Sequence, residues 1–156
     1  MGTPRRRTTG RASPVPEARE LTVSRTIRFS AAHRLWNPAW SAAQNRRVYG
    51  RCSTPGGHGH NYELTVSVRG RLDPGTGMVV NVTLLRDVLE RAVARQLDRR
   101  DLTTNVPFLA GVVPTMENLA AAIGARLGPR LAALGVRLSR IELAESEASR
   151  VTLDFP

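Results

Sequence analysis

Histidine occurs three times among 156 residues, and His33, His58 and His60 stand where one metal ion could collect all three. His33 ends the run Phe29-Ser30-Ala31-Ala32-His33, and the other two lie in Gly57-His58-Gly59-His60-Asn61-Tyr62 at the mouth of an alternating apolar segment. Side chains two apart on an extended chain point to the same side, so His58 and His60 can face one ion. The glycines around them let the backbone approach closely. Three imidazoles with an open fourth position describe a catalytic zinc site, although nitrogen ligands also accept iron, nickel or copper. H-x-H pairs also arise by chance, so spacing alone leaves open three unrelated surface histidines. Cys52 is the only cysteine. It cannot form an intrachain disulfide, and a lone cysteine near histidines in an intracellular chain is either a candidate nucleophile or base or an inert loop thiol.

The elements that must position these residues follow from periodicity. Leu21 to Phe29 alternates apolar and polar residues as a half-buried strand does. A long loop is expected from about Leu35 to Gly57, carrying both tryptophans and Cys52. Tyr62, Leu64, Val66 and Val68 alternate with Glu63, Thr65, Ser67 and Arg69, the clearest strand pattern in the chain. Asp73-Pro74-Gly75-Thr76-Gly77 reads as a turn and Met78-Val79-Val80 as a short strand after it. Leu85, Val88, Leu89, Ala92 and Val93 recur at helical spacing between Thr83 and Leu97. Thr115, after Pro114, reads as the N-cap of a second helix, with Glu117 as a first-turn acid and Leu119, Ala122, Ile123 and Leu127 on its inner face. Gly128-Pro129 is expected to interrupt that helix. Arg137 to Glu145 and Arg150 to Phe155 read as closing strands joined by a turn at Ser146 to Ser149. Strands flanking a helical pair predict an α+β domain: an antiparallel four-stranded sheet with two helices on one face and edges open to assembly.

Length accommodates one domain, expected over residues 20–156, preceded by a disordered Arg/Pro-rich tail over residues 1–19. Few aromatic residues leave a core that must be mostly aliphatic. No apolar run is long enough for a membrane helix and no secretory leader is visible, so the expected compartment is the cytoplasm, without a membrane partner. The net charge of +10 invites a nucleic-acid reading, yet all 23 basic residues are arginine and, outside Arg5-Arg6-Arg7, they are scattered. A solvated basic surface accounts for them, and such a field also attracts a polyphosphorylated small molecule.

From Phe29 to the C-terminus the chain resembles the 6-pyruvoyl-tetrahydropterin synthase family and, more distantly, the bacterial 6-carboxytetrahydropterin synthases. The motifs are Phe29-Ser30-Ala31-Ala32-His33-Arg34-Leu35, Tyr49-Gly50-Arg51-Cys52, His58-Gly59-His60-Asn61-Tyr62, Leu72-Asp73-Pro74-Gly75-Thr76-Gly77-Met78-Val79 with Asn81, Leu97-Asp98, Val106-Pro107-Phe108, Thr115-Met116-Glu117-Asn118 and Glu145-Ser146. The resemblance implies a T-fold whose trimers form a barrel and stack as a hexamer, with active sites between subunits. It implies zinc (Zn2+) on His33, His58 and His60, catalytic Cys52 and Asp98, and a pterin-anchoring carboxylate at Glu145, with Thr115 and Glu117 as further candidates for ring contacts. Five residues separate Cys52 from His58, the spacing of the pyruvoyl branch. The activity implied is a lyase that removes triphosphate from 7,8-dihydroneopterin triphosphate.

The chemistry fits those residues. Loss of triphosphate requires a proton to leave a side-chain carbon; a metal holding the hydroxyl oxygens makes that proton more acidic, and a Cys52 thiolate beside Arg51 can take it. A carboxylate at Glu145 can accept two parallel hydrogen bonds from a pterin edge, although on its residues alone it is a strand-end surface glutamate. One position departs from the pattern: the family carries histidine after the aspartate, and that pair relays protons with the cysteine, whereas this chain has Arg99. Guanidinium stays protonated and cannot accept a proton. The departure leaves three readings: a lyase with altered rate, a different product such as the carboxy compound or a cleaved side chain, or a non-catalytic pterin or zinc pocket. The rival from another class is a basic nucleic-acid-binding protein, indifferent to zinc removal.

Overall fold

A computed structural model describes residues 20–156; the expected tail over residues 1–19 lies outside the described residues. In chain order the elements are β1 (Glu20–His33), α1 (Ala42–Tyr49), a 3-10 turn (Gly50–Ser53), β2 (His58–Arg71), α2 (Val82–Leu89), a π-helical segment (Glu90–Ala94), α3 (Arg95–Leu97), β3 (Arg100–Asp101), a second 3-10 turn (Pro107–Leu109), α4 (Met116–Ala132), β4 (Arg137–Ala144) and β5 (Arg150–Asp154). No helix among the described residues is long and apolar enough to cross a membrane.

The two strongest alternating segments pair with each other over their whole length. β1 and β2 run antiparallel from Glu20 opposite Arg71 to His33 opposite His58. Ile27, Phe29 and Ala31 of β1 and Tyr62, Leu64, Val66 and Val68 of β2 are buried on one face, joined by Leu138, Ile141 and Leu143 of β4. Both helical layers cover that face. α4 presents Leu119, Ile123, Leu127 and Leu131, spaced four apart, and α2 presents Leu85 and Leu89. The opposite face carries polar cross-strand pairs, including Ser24 with Ser67 and Thr26 with Thr65, each 2.8 Å between hydroxyl oxygens. Phe29 and Tyr62 are the aromatic members of an otherwise aliphatic buried cluster.

Four expectations need correction, the fourth being the loop before Gly57. The sheet has five strands, not four, in the order β3-β1-β2-β4-β5, and it is mixed because β3 runs parallel to β1. Two residues are too few to show alternation; β3 exists because the Arg99 and Leu102 amides donate to Ser30 and Ala32 carbonyls. Met78 to Val80 forms no strand. Val80 is buried, but the next residue, Asn81, is already the N-cap of α2: its backbone is still extended while its side chain accepts from the Thr83 and Leu84 amides. Gly128-Pro129 does not break α4, which continues to Ala132. Leu131 keeps the buried stripe going, and Pro129 sits in the final turn, where few later residues depend on an unbroken ladder.

Two features lay outside the periodicity. A π-helical segment follows α2 and buries three consecutive residues, Ala92, Val93 and Ala94, as an α-helical stripe would not. The segment expected as loop before Gly57 contains α1, which is anchored by the buried amide of Asn45. Its Nδ2 donates to the carbonyls of Asn37, Trp40 and Ser41, and its Oδ1 accepts from the Asn37 amide at 2.7 Å.

Candidate active site

His33 is the last residue of β1 and pairs across the ladder with His58, the first of β2; His60 follows two residues on, on the same face. The three ring centroids lie 4.7 to 5.1 Å apart, and one ligand nitrogen from each ring lies within 4.8 Å of the others. The close approach depends on Gly57, whose φ is +63° and where a Cβ would overlap the His33 carbonyl.

The nitrogens are arranged as ligands need to be. His33 Nδ1 lies 2.9 Å from the Pro114 carbonyl oxygen. A carbonyl can only accept, so Nδ1 carries the proton and Nε2 presents its lone pair to the cluster. Nε2 of His33 and Nε2 of His60 are both buried without a hydrogen-bond partner. Burial holds the His33 imidazole below the usual histidine range against the opposing pull of the Pro114 carbonyl, and His60 and His58 push the same way as burial. Buried, unpartnered imidazole nitrogens converging on one point fit a divalent metal.

The same corner holds more of the expected residues. Glu145 lies one residue past the pairing of Ala144 with Glu63 and brings Oε2 to 3.8 Å from His60 Nε2. Cys52, half-buried in the 3-10 turn, is tied to the end of β1 by its carbonyl, which accepts from the Leu35 amide at 2.8 Å. Thr115 caps α4, its hydroxyl accepting from the Asn118 amide at 3.3 Å, and directly follows the Pro114 that orients His33. Glu117 is exposed in the first turn of α4.

Asp98 is placed differently. Its Oδ1 accepts from the Ser30 amide at 2.8 Å, which holds it at the outer edge of β1 beside β3. Among the described residues no hydrogen bond or ion pair joins it to Cys52. Arg99, next to it, has φ +58° and a side chain 90% exposed, with Nε 3.8 Å from Asp98 Oδ2.

Two contributors were missed. Pro114 acts through its carbonyl, which leaves no signature in residue type. Tyr62 shares the parity of His58 and His60 on β2, a pattern that reads equally well as core. Its hydroxyl is buried without a partner. Burial first, then the nearby charges of Glu145 and Cys52, hold the phenol far above its usual range, so it stays a protonated donor.

The family model described as 6-pyruvoyl tetrahydropterin synthase matches residues 22–155. The 6-pyruvoyl tetrahydrobiopterin synthase of Pongo abelii is 43% identical over 128 residues, covering 82% of this chain and 87% of that protein. Its counterpart from Homo sapiens is 45% identical over 104 residues, covering 67% and 72%. The solved 6-pyruvoyl tetrahydropterin synthase of Caenorhabditis elegans superposes with a TM-score of 0.82 at 31% identity, over 88% of this chain and 97% of the other. With the family model spanning nearly every described residue and the histidine cluster at the same sheet corner as Cys52 and Glu145, the chain belongs to the 6-pyruvoyl tetrahydropterin synthase family.

Proposed function

We propose that the chain is a zinc-dependent lyase that eliminates triphosphate from 7,8-dihydroneopterin triphosphate to give 6-pyruvoyl-tetrahydropterin. The observation that carries this is the convergence of three imidazoles, with buried, unpartnered Nε2 atoms on His33 and His60, inside a chain that belongs to the 6-pyruvoyl tetrahydropterin synthase family. Zinc held by His33, His58 and His60 would supply a Lewis acid for the side-chain hydroxyl oxygens.

The chain's own groups divide the remaining work. Glu145 accepts hydrogen bonds from the pterin edge, with Thr115 and Glu117 as ring contacts at the start of α4. Tyr62 keeps its proton and offers a donor within the same pocket. Cys52 as thiolate takes the proton from the side-chain carbon, and the electron pair left behind expels triphosphate as the carbon–oxygen bond breaks. Asp98 stands at the far edge of β1, so we assign its part to a second copy, in a hexamer of two stacked trimers with sites between subunits. The cytoplasm suits a lone cysteine that must remain a thiol.

The test is to incubate the zinc-loaded chain with 7,8-dihydroneopterin triphosphate and follow triphosphate release and pterin mass together. Release with the pyruvoyl product is the expected result. A carboxy or hydroxymethyl product would assign another branch, and pterin retention without release would overturn catalysis.

A further inference from the structure

A groove of about 480 Å3 lies between the π-helical segment with the end of α2 and the C-terminal part of α4. Val88, Ala92, Ala133 and Leu134 give it an apolar floor, Arg91, Arg126 and Arg130 supply the rest, and no carboxylate lines it. Arg126 is built in. Its Nε crosses from α4 to donate to the Ala92 carbonyl at 2.7 Å, in the middle of the π-helical segment, and its guanidinium carbon stands 4.9 Å from the centre of the Phe108 ring. A π-helical turn is rare and recurs at functional positions. Arg130 is steered by a bond from Nη1 to the Arg126 carbonyl, one turn earlier in α4. Among the described residues the arginine ion pairs engage Arg28, Arg86, Arg99, Arg137 and Arg140, and none of these three.

A brace between α4 and the π-helical segment accounts for Nε of Arg126. It does not account for the terminal nitrogens, which leave donors of Arg126 and Arg130 beside an apolar floor. Arg91 also borders a neighbouring polar groove with Asp87 and Glu90, so its charge is shared, and Arg126 and Arg130 are the pair that faces an acceptor. We propose that this groove binds a small organic carboxylate with an apolar body, at a site separate from the histidine corner and independent of the lyase reading. Neither a histidine, Cys52 nor Glu145 lines it. Its size falls in the range of about 300–1,000 Å3 common to small-molecule pockets. Guanidinium presents paired N–H donors that match the two oxygens of a carboxylate. Val88 and Leu134, already packed against the core, give the apolar body a surface on which to leave water. Inorganic phosphate would satisfy the arginines and leave that floor uncovered.

The experiment titrates 2-naphthoate into the zinc-loaded full-length chain and into its Arg130→Glu, Ala133→Phe and Arg47→Glu variants, with the neutral 2-naphthamide and inorganic phosphate as comparison ligands. All three positions are exposed, so thermal melting serves as the folding control. Zinc also takes a carboxylate, but that binding is common to all four chains, so differences between them report the groove. Arg130→Glu, which reverses a charge, and Ala133→Phe, which fills the groove, are each expected to weaken naphthoate binding about tenfold or more. Arg47→Glu, on α1 and outside the groove, should bind as the unaltered chain does. The amide should bind about tenfold more weakly than the carboxylate, and equimolar phosphate should not displace it. No naphthoate binding by the unaltered chain, equal binding by all four chains, an amide as tight as the carboxylate, or displacement by equimolar phosphate would each overturn the inference. A fall in assembly mass by light scattering in Arg130→Glu or Ala133→Phe would overturn it as well, by giving the groove to a second copy of the chain.

Discussion

His33 Nδ1 donates to the carbonyl of Pro114 at 2.9 Å and so joins the end of β1 to the residue before the cap of α4. One hydrogen bond thereby selects the tautomer of a ligand and ties the metal corner to the longest helix. A metal bound there stabilises the folded chain by mass action, about 2.7 kcal/mol when free metal exceeds Kd a hundredfold. Chelation is therefore expected to lower Tm and strip about one metal per chain. In His33→Ala the bound metal should fall to near zero and Tm should no longer respond to chelator, as measured by elemental analysis and calorimetry.

Gly57 and Gly59 make a contrasting pair. At Gly57 a Cβ would overlap the His33 carbonyl and φ is +63°, whereas at Gly59 the nearest atom, the Ala31 carbonyl oxygen, would be 3.5 Å away. Gly57→Ala is expected to cost about 1–3 kcal/mol and to weaken zinc binding by pushing His33 away from His58. Gly59→Ala should stay within about 0.5 kcal/mol. Urea unfolding and zinc titration of the two variants, compared side by side, check this.

Much of this corner was legible because chemistry and periodicity agreed there. His58 and His60 share the parity of Tyr62, Leu64 and Val66, so the strand that builds the core also aims the ligands. What stayed hidden was held by backbone polar groups. α1 depends on the Asn45 amide and buries no apolar residue of its own, so it has no apolar stripe to detect. β3 depends on two amides and a left-handed Arg99, and Pro114 contributes a carbonyl that any residue carries. Asp98 was legible as a motif but not as a place, because its position at the sheet edge is set by the parallel strand that follows it.

Cys52 and the histidines have separable duties in the proposed mechanism. Cys52→Ala is expected to lower kcat by about 10²- to 10⁴-fold, the range for loss of a general base, while bound metal stays near that of the unaltered chain. Loss of metal together with activity would instead make Cys52 a ligand or a prop of the 3-10 turn. Turnover and metal content measured on one preparation decide between them.

The turn at Asp73 supplies a pH dependence independent of the metal. Asp73 Oδ1 accepts from the Thr76 amide at 2.7 Å and from its hydroxyl at 3.0 Å, and those bonds hold the carboxyl below its ordinary 3.8. A lowered folded value means that the stabilisation is present above pH 3.8 and is lost as pH falls through the folded value. Protection of the Thr76 amide, its exchange relative to the intrinsic rate at the same pH, should therefore fall in acid, and Asp73→Asn should flatten that dependence.

Arg99 combines a strained backbone with a side chain unable to exchange protons. Its φ of +58° is held by the bond from its amide to the Ser30 carbonyl, and glycine would occupy that geometry at less cost. Arg99→Gly is expected to raise stability by about 1 kcal/mol. Arg99→His places an acceptor beside Asp98 where guanidinium cannot serve. If protons pass through that position, kcat should rise by at least about tenfold, toward the 10²- to 10⁴-fold a general acid–base group contributes, with a pH profile that follows the new imidazole. An unchanged kcat in Arg99→His, with its stability intact, would mean that this chain returns its protons by a route that never included residue 99, and that Asp98 serves the edge of β1 and not the chemistry.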